Sequence, residues 1–422
     1  MSWQTQRLKT ILTETKDTVG TNSSDFQLLS LTKGGVIVRD LSTGKGKFPS
    51  DFGTYKIVNS GQIIFCLFDI DETPRTVGLS SHNGMITGAY DVFNIMNANP
   101  RFIEYYFLAI DDIKGLKPYY TGLRKTVSMD KFLNISIPLP PREEQDQIVR
   151  CLDWKVSQIN KLINVKKRQI EMLGEQKRAE IDKALRQNGN GWDIARLKYL
   201  CLNIGDIDHK MPEAQDDGIP YVSPKDFYAD NGIDFDNAKK ITRKSFEELS
   251  KKIKPEKGDL ILSRYATLGA TRLVETDIDF LVSYSCVTIK PNQLIINSAY
   301  LYFYFMSSFI EDELRNYAFE TTQSNIGIDS IKKFRISYPS DILAQQTVVD
   351  YIKSKTSAIS NAIETIQKEI TLLNEYRTRL ISDVVTGKHD VRDVVVPEYE
   401  SIEDAKVDAD DIDEDEAECD NF

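Results

Sequence analysis

The stretch QDQIVRCLDWKVSQINKLINVKKRQIEMLGEQKRAEIDKAL, residues 145–185, returns as QQTVVDYIKSKTSAISNAIETIQKEITLLNEYRTRLISDVV at residues 345–385. Leu152, Lys155, Ser157, Ile159, Ile163, Ile170, Leu173, Glu175 and Ile181 match Ile352, Lys355, Ser357, Ile359, Ile363, Ile370, Leu373, Glu375 and Ile381 at one constant offset. The chain therefore reads as two copies of one unit of roughly 200 residues, a domain duplication and not the 20 to 50 residue period of a solenoid or propeller.

Within the second copy, Ile352, Thr356, Ile359, Ile363, Ile366, Ile370, Leu373, Arg377 and Ile381 fall at alternating spacings of four and three. That is a heptad a/d seam. In the first copy Lys166 and Lys177 interrupt the equivalent seam. Each segment predicts a helix of about 40 residues, roughly 60 Å long at 1.5 Å per residue. Two such seams in one chain most simply cover each other, and docking of each helix on its own domain is the alternative. The polar turn Gln187-Asn188-Gly189-Asn190-Gly191 stops the first helix and leaves little slack before the second copy.

Upstream, Trp3, Arg7, Leu8 and Lys9 read against Trp192, Arg196, Leu197 and Lys198. Ile135, Ser136 and Pro138 read against Ile336, Ser337 and Pro339, just before each long helix. Ile63 to Phe68 after Gly61, and Asp259 to Leu262 after Gly258, predict buried strands entered through glycine turns. Asn99 to Ile110 and Asn297 to Ile310 predict aromatic-rich helices whose rings belong to the core.

Composition sets bounds. An apolar share of 41% with 28% charged residues is ordinary for a core-forming protein of two or three domains. No apolar run approaches the roughly 18 residues that span a bilayer, and the start lacks a signal-peptide core, so a cytoplasmic protein is expected. Cys66, Cys151, Cys201, Cys286 and Cys419 are scattered, with only His82, His209 and His389 beside them, which argues against a structural metal or a disulfide framework. Residues 397–422 carry thirteen Asp or Glu against Lys406 alone, so the remaining 52 basic and 51 acidic residues nearly balance. The acidic tail is expected to be disordered; solubility is its plain role and a DNA mimic the sharper one.

The phrases Gly258-Asp-Leu-Ile-Leu-Ser-Arg264 with Thr267-Leu-Gly269, and Ile135-Ser-Ile-Pro-Leu-Pro140 with Glu144-Gln145 before a long heptad helix, carry a resemblance. Over about residues 1–390 the chain resembles the specificity subunit (HsdS) of type I restriction-modification systems. The resemblance implies an α+β fold of two mixed α/β target-recognition domains in tandem duplication, each followed by a long helix, with the two helices packed as an antiparallel coiled coil. On this sequence the parts are residues 1–140, the arm 141–187, residues 188–340, the arm 341–386 and the acidic tail 387–422. It further implies two domains in opposite orientation that read a split, asymmetric site on double-stranded DNA, with the helices as a ruler. Two methyltransferase subunits using S-adenosylmethionine would dock on the helical regions, and restriction subunits using ATP and Mg would join them. The chain itself would be non-catalytic and hold no cofactor. Before the second helix, Ser340-Asp-Ile-Leu-Ala-Gln345 replaces Pro140-Pro-Arg-Glu-Glu-Gln145 and keeps only the Gln, so the two docking surfaces need not be equivalent.

Asn99-Pro100-Arg101-Phe102 resembles the Asn-Pro-Pro-Phe signature of adenine methyltransferases, but Arg101 is wrong for it and no glycine-rich nucleotide loop accompanies it. The phrase instead predicts a helix start with Asn99 as cap and Pro100 in the first turn.

Base edges need hydrogen-bonding side chains and phosphates need cations. The loops that supply them hold Lys33, Arg39, Lys45, Lys47, Arg124, Lys125 and Thr126 in the first domain. In the second they hold Lys225, Ser263, Arg264, Tyr265, Thr267, Arg272, Thr322, Gln323 and Ser324. Arg264→Ala is expected to relax one half-site while folding and assembly survive. Half-site centres should lie about one turn, roughly 10 bp, apart. The runner-up is a non-catalytic two-headed scaffold for proteins or another nucleic acid. Matched arms under divergent heads favour two half-sites over a symmetric scaffold.

Overall fold

The computed structural model describes residues 3–39, 52–121, 125–186, 191–265, 268–317 and 325–399. The chain divides into two compact units, Met1–Lys167 with Glu369–Phe422, and Arg168–Lys368. Each long helix, Arg142–Leu185 and Ile342–Val385, contributes to both.

In the first unit, four antiparallel strands lie in the order Leu12–Thr15, Asp91–Ile95, Ile63–Phe65, Val77–Leu79. Gly61 enters the third of these in the left-handed region, at φ +90°. The unbroken apolar run Ile63-Ile64-Phe65 is buried on both faces, because helix Pro100–Asp112 covers one side and the hairpin strands Leu29–Thr32 and Gly35–Val38 the other. Phe65 meets Phe107 and Phe132 edge-on at 4.8 and 4.9 Å. Ile148 and Leu152 of the first long helix and Ile381, Val384 and Val385 of the second complete this core.

The second unit repeats the plan: Cys201–Gly205, Cys286–Pro291, Leu260–Ser263, Thr271–Leu273, entered at Gly258 with φ +91°. It adds a three-stranded sheet, Lys239–Ile241, Ala214–Val222 and Leu281–Val282, over its own small core of Ile207, Tyr221, Ile241 and Phe246. The expected aromatic helix is broken here into Ser298–Phe305 and Phe309–Tyr317, and its rings are core, as in the first unit.

The duplicated phrases prove to be partners in space. Thr5–Arg7 pairs antiparallel with Ser136–Pro138, and Trp192–Arg196 with Arg335–Pro339. Their register corrects the sequence match by two residues. Arg7 faces Ser136 and Arg196 faces Arg335, so Ile137 corresponds to Ile336 and Pro140 to Pro339. One residue more then separates Pro339 from Gln345 than Pro140 from Gln145.

That glutamine has an internal reason to persist. Gln145 Oε1 accepts from Asn99 N at 2.7 Å and its Nε2 donates to Pro140 O at 2.8 Å. Gln345 does the same with Asn297 N at 2.7 Å and Pro339 O at 2.8 Å. Both asparagines cap their helices, with Asn99 Oδ1 accepting from Arg101 and Phe102 and Asn297 Oδ1 from Ala299 and Tyr300. Pro100 sits in the first turn, as the sequence predicted.

No seam position is exposed in either long helix. Within the first unit, Asn160 accepts from Arg377 Nη1 at 2.8 Å and Lys166 reaches Glu369 at 2.6 Å. The partner position falls on one helix as it rises on the other. Within the second unit, the seam residue Lys177 is buried against Asp230 of a loop, and Asp230 also accepts from Ser360 Oγ at 3.0 Å. The two seam lysines each meet a carboxylate, and the seam residue Arg377 meets an amide oxygen.

Residues 387–399 depart from the expected disordered tail. Gln147 Nε2 donates to Val391 O and Val394 O at 3.0 and 2.7 Å, and Val391 is buried in the first unit's core. Apolar valines distinguish this stretch from the acidic run, which from residue 400 onward lies outside the described residues.

Candidate nucleic-acid interface

The loop after the central strand is anchored alike in both domains. Cys66 Sγ donates to Phe68 O at 3.3 Å, and Ser263 Oγ to Tyr265 O at 3.1 Å. Val127 N donates to Leu67 O at 2.7 Å, and Ile326 N to Arg264 O at 3.2 Å. Phe68 bridges Thr126, and Tyr265 bridges Asn325. Here the conserved geometry ends and the chemistry diverges.

In the first domain the loop is acidic. Asp71 accepts from the Tyr120 hydroxyl at 2.8 Å, which holds its carboxyl below the usual range, helped by Lys125 and Lys117. Lys125 pairs with Glu72 and Asp71, and the Glu72 hydrogen bond raises its pKa. Thr126 offers its carbonyl to Thr121 N and Oγ1. Lys33 is exposed at the tip of the hairpin Leu29–Thr32/Gly35–Val38, and Arg39 follows that hairpin half-buried. Lys45, Lys47 and Arg124 lie outside the described residues.

In the second domain Arg264 is buried. Its Nη2 donates to Asp206 Oδ2 at 3.0 Å, its Nε to Tyr284 O at 3.0 Å, and its guanidinium lies 4.9 Å from the Tyr265 ring centre. Lys252 reaches the same Asp206 at 3.1 Å. Arg272 is also buried, donating to Gly232 O, Thr271 O and Ala229 O at 3.0, 2.9 and 3.0 Å. Ser263 is closed off within the strand end. These three correct the sequence expectation that loop cations and hydroxyls face solvent. A guanidinium whose donors are taken by a buried carboxylate and by carbonyls fixes backbone shape. The expectation that Arg264→Ala leaves folding intact changes with it.

Lys225 is exposed on the turn Pro224–Asp226, and Tyr265 is half-buried. Thr267, Thr322, Gln323 and Ser324 lie outside the described residues. Sequence reasoning missed Asp206, His209 and Tyr284. They meet Arg264 from separate segments, and no local pattern marks them.

Asn99, which opens the methyltransferase-like phrase, spends its side chain on the helix cap and on Asp146 Oδ1 at 2.7 Å. Among the described residues no group of three or more His, Cys, Asp or Glu could hold a metal. Nor is any described helix long and apolar enough to cross a membrane.

The model of the type I restriction modification DNA specificity domain matches residues 88–172 and 189–372. A chain assigned as the MjaX type I restriction enzyme specificity subunit of Methanocaldococcus jannaschii is 20% identical over 92% of this chain and 93% of its own length. A chain from a structure on complex assembly and conformational transition of the type I R-M system is 15% identical, with TM-score 0.55 over 92% of this chain and 98% of the other, and shares the fold. The HsdS subunit from Thermoanaerobacter tengcongensis is 16% identical, with TM-score 0.39 over 92% and 97%. Specificity subunits are non-catalytic, and the methyltransferase activity lies in a partner subunit. With 64% of its length matched by the family model, the chain belongs to the DNA specificity family of type I restriction-modification systems.

Proposed function

We propose that the two globular parts are target-recognition domains that each read one half of a split, asymmetric site on double-stranded DNA. The long helices pack antiparallel and set the spacer between the halves. Two methyltransferase subunits dock on the helical regions and modify an adenine in each half-site. S-adenosylmethionine belongs to those subunits, and ATP with Mg to the restriction subunits that cleave unmodified DNA in the cytoplasm.

One observation supports the reading above the rest. The two domains share strand order, the Asn–Gln–Pro clamp and the anchoring of the loop after the central strand, and then differ in what that loop presents. A common frame under different loops is what two unlike half-sites require. Lys33, Arg39, Lys125, Thr126, Lys225 and Tyr265 are the described candidates for DNA contact. Lys45, Lys47, Arg124, Thr267, Thr322, Gln323 and Ser324 complete the proposal.

The test is co-expression with the methyltransferase subunit of the same system, followed by single-molecule mapping of N6-methyladenine. A bipartite motif with a fixed gap that appears only when both proteins are present is the expected result. A stable complex that methylates a continuous motif would overturn the split-site reading.

A further inference from the structure

Building on the half-site reading, we propose that His209, Tyr265 and Tyr284 form the base-reading shelf of the second domain, with Arg264 as the residue that positions it. Gly205 pairs with Thr288 and Ser263 with Cys286. The ends of strands Cys201–Gly205 and Leu260–Ser263 therefore lie beside the start of Cys286–Pro291. The segments carrying His209, Tyr265 and Tyr284 leave this one end of the sheet, opposite the end that continues into the Asn297–Gln345 clamp.

His209 stacks on Tyr284 with ring centres 4.7 Å apart and planes 21° apart, and Tyr265 meets Tyr284 edge-on at 6.3 Å. Arg264 lies against all three. It holds the Tyr284 carbonyl, sits against the Tyr265 ring and brings Nη2 within 3.3 Å of His209 Nε2. Asp206 beside it balances the charge.

The same position in the first domain shows what plain packing looks like. There Phe68 stacks on Tyr90 at 6.1 Å, Tyr90 is buried, and the adjoining loop carries Asp69, Asp71 and Glu72. In the second domain Tyr284 is 37% exposed, the His209 side chain is 58% exposed, and among the described residues neither Tyr265 nor Tyr284 has a partner for its hydroxyl. Polar aromatic groups are thus held rigid and turned outward over a buried ion pair. Rigid rings with free donors and acceptors lose little entropy on binding and can address base edges or stack. The strand that leads into Lys225's exposed turn is tied to the segment before Tyr284, with Val222 O accepting from Ser283 N at 2.7 Å.

The experiment uses the full chain co-expressed with its methyltransferase subunit, as wild type, His209→Ala and Tyr284→Phe. It maps N6-methyladenine and measures binding to duplexes permuted in one half-site. One half-site should become degenerate or under-methylated, with cognate binding weaker on the order of tenfold and the other half-site, complex assembly and melting temperature unchanged. Variants that assemble and methylate the wild-type motif at wild-type efficiency would overturn the shelf. So would equal weakening at both half-sites. A wild-type complex with no bipartite motif would instead overturn the half-site reading, and the shelf with it.

Discussion

Arg264 donates to Asp206 across 3.0 Å with both side chains buried, although 58 residues separate them in the chain. Removing one partner of such a pair strands the other charge, at a cost of about 3 kcal/mol. Lys252 also reaches Asp206 and should reduce that cost somewhat. Arg264→Ala is therefore expected to lower the melting temperature, while Arg264→Lys, which keeps the charge but loses the fork, should fall between. Thermal denaturation of the isolated subunit reads this, and an unchanged transition for the Ala variant would show that the pair contributes nothing.

Gln345 bonds Asn297 N and Pro339 O from a fully buried position. Gln345→Leu fills similar space but leaves a buried N–H and a buried C=O without this partner, each worth about 1–3 kcal/mol. A fall in melting temperature is expected, and Gln145→Leu should fall somewhat less, because Gln145 shares the bonds to the asparagine N and the proline O while Gln345 also donates to Ile295 O at 3.0 Å. If one substitution were silent and the other not, the two clamps would not be equivalent.

The duplication was legible because heptad spacing and a constant offset survive without any knowledge of contacts. The two-residue slip at Pro138 was not avoidable in the same way. Pro138 and Pro140 are both prolines before a helix, and only the strand register and the glutamine's bond to Pro140 O tell them apart. Arg264 looked like a surface cation because it follows a strand in a polar loop. The carboxylate that buries it arrives from Asp206, and His209 and Tyr284 come from two further segments. Periodicity sees neighbours along the chain, and a site assembled from loop ends has none.

The cysteines offer a pH test. Burial pushes the Cys201 and Cys286 thiols up to about 12 and raises Cys151 as well. Only the thiolate attacks a disulfide reagent, so at pH 8 a thiol with a pKa near 12 is ionised to roughly one part in ten thousand. A Cys419→Ser variant, which leaves only Cys66, Cys151, Cys201 and Cys286, should react slowly with such a reagent when native at pH 8 and fully once unfolded. Rapid labelling of Cys286 in the native protein, located by mass spectrometry, would contradict its burial.

The ends of the two helices carry the last prediction. Ile381 and Val385 close the first unit's core beside Ile148 and Leu152, and Ile181 and Leu185 close the second unit's beside Val349 and Ile352. A fragment ending at Gln187 keeps Ile148 and Leu152 but loses Ile381 and Val385, and its own Ile181 and Leu185 lose their core. Burying each such aliphatic side chain is worth about 1.5–3 kcal/mol, so the fragment carries a strong drive to find cover. A second copy supplies it, because Ile181 and Leu185 of one molecule occupy the repeat positions of Ile381 and Val385 against the other. The fragment is therefore expected to elute as a dimer in size exclusion with light scattering, and to read a palindromic version of the first half-site. A folded monomer would mean that each unit's core closes without the helix ends.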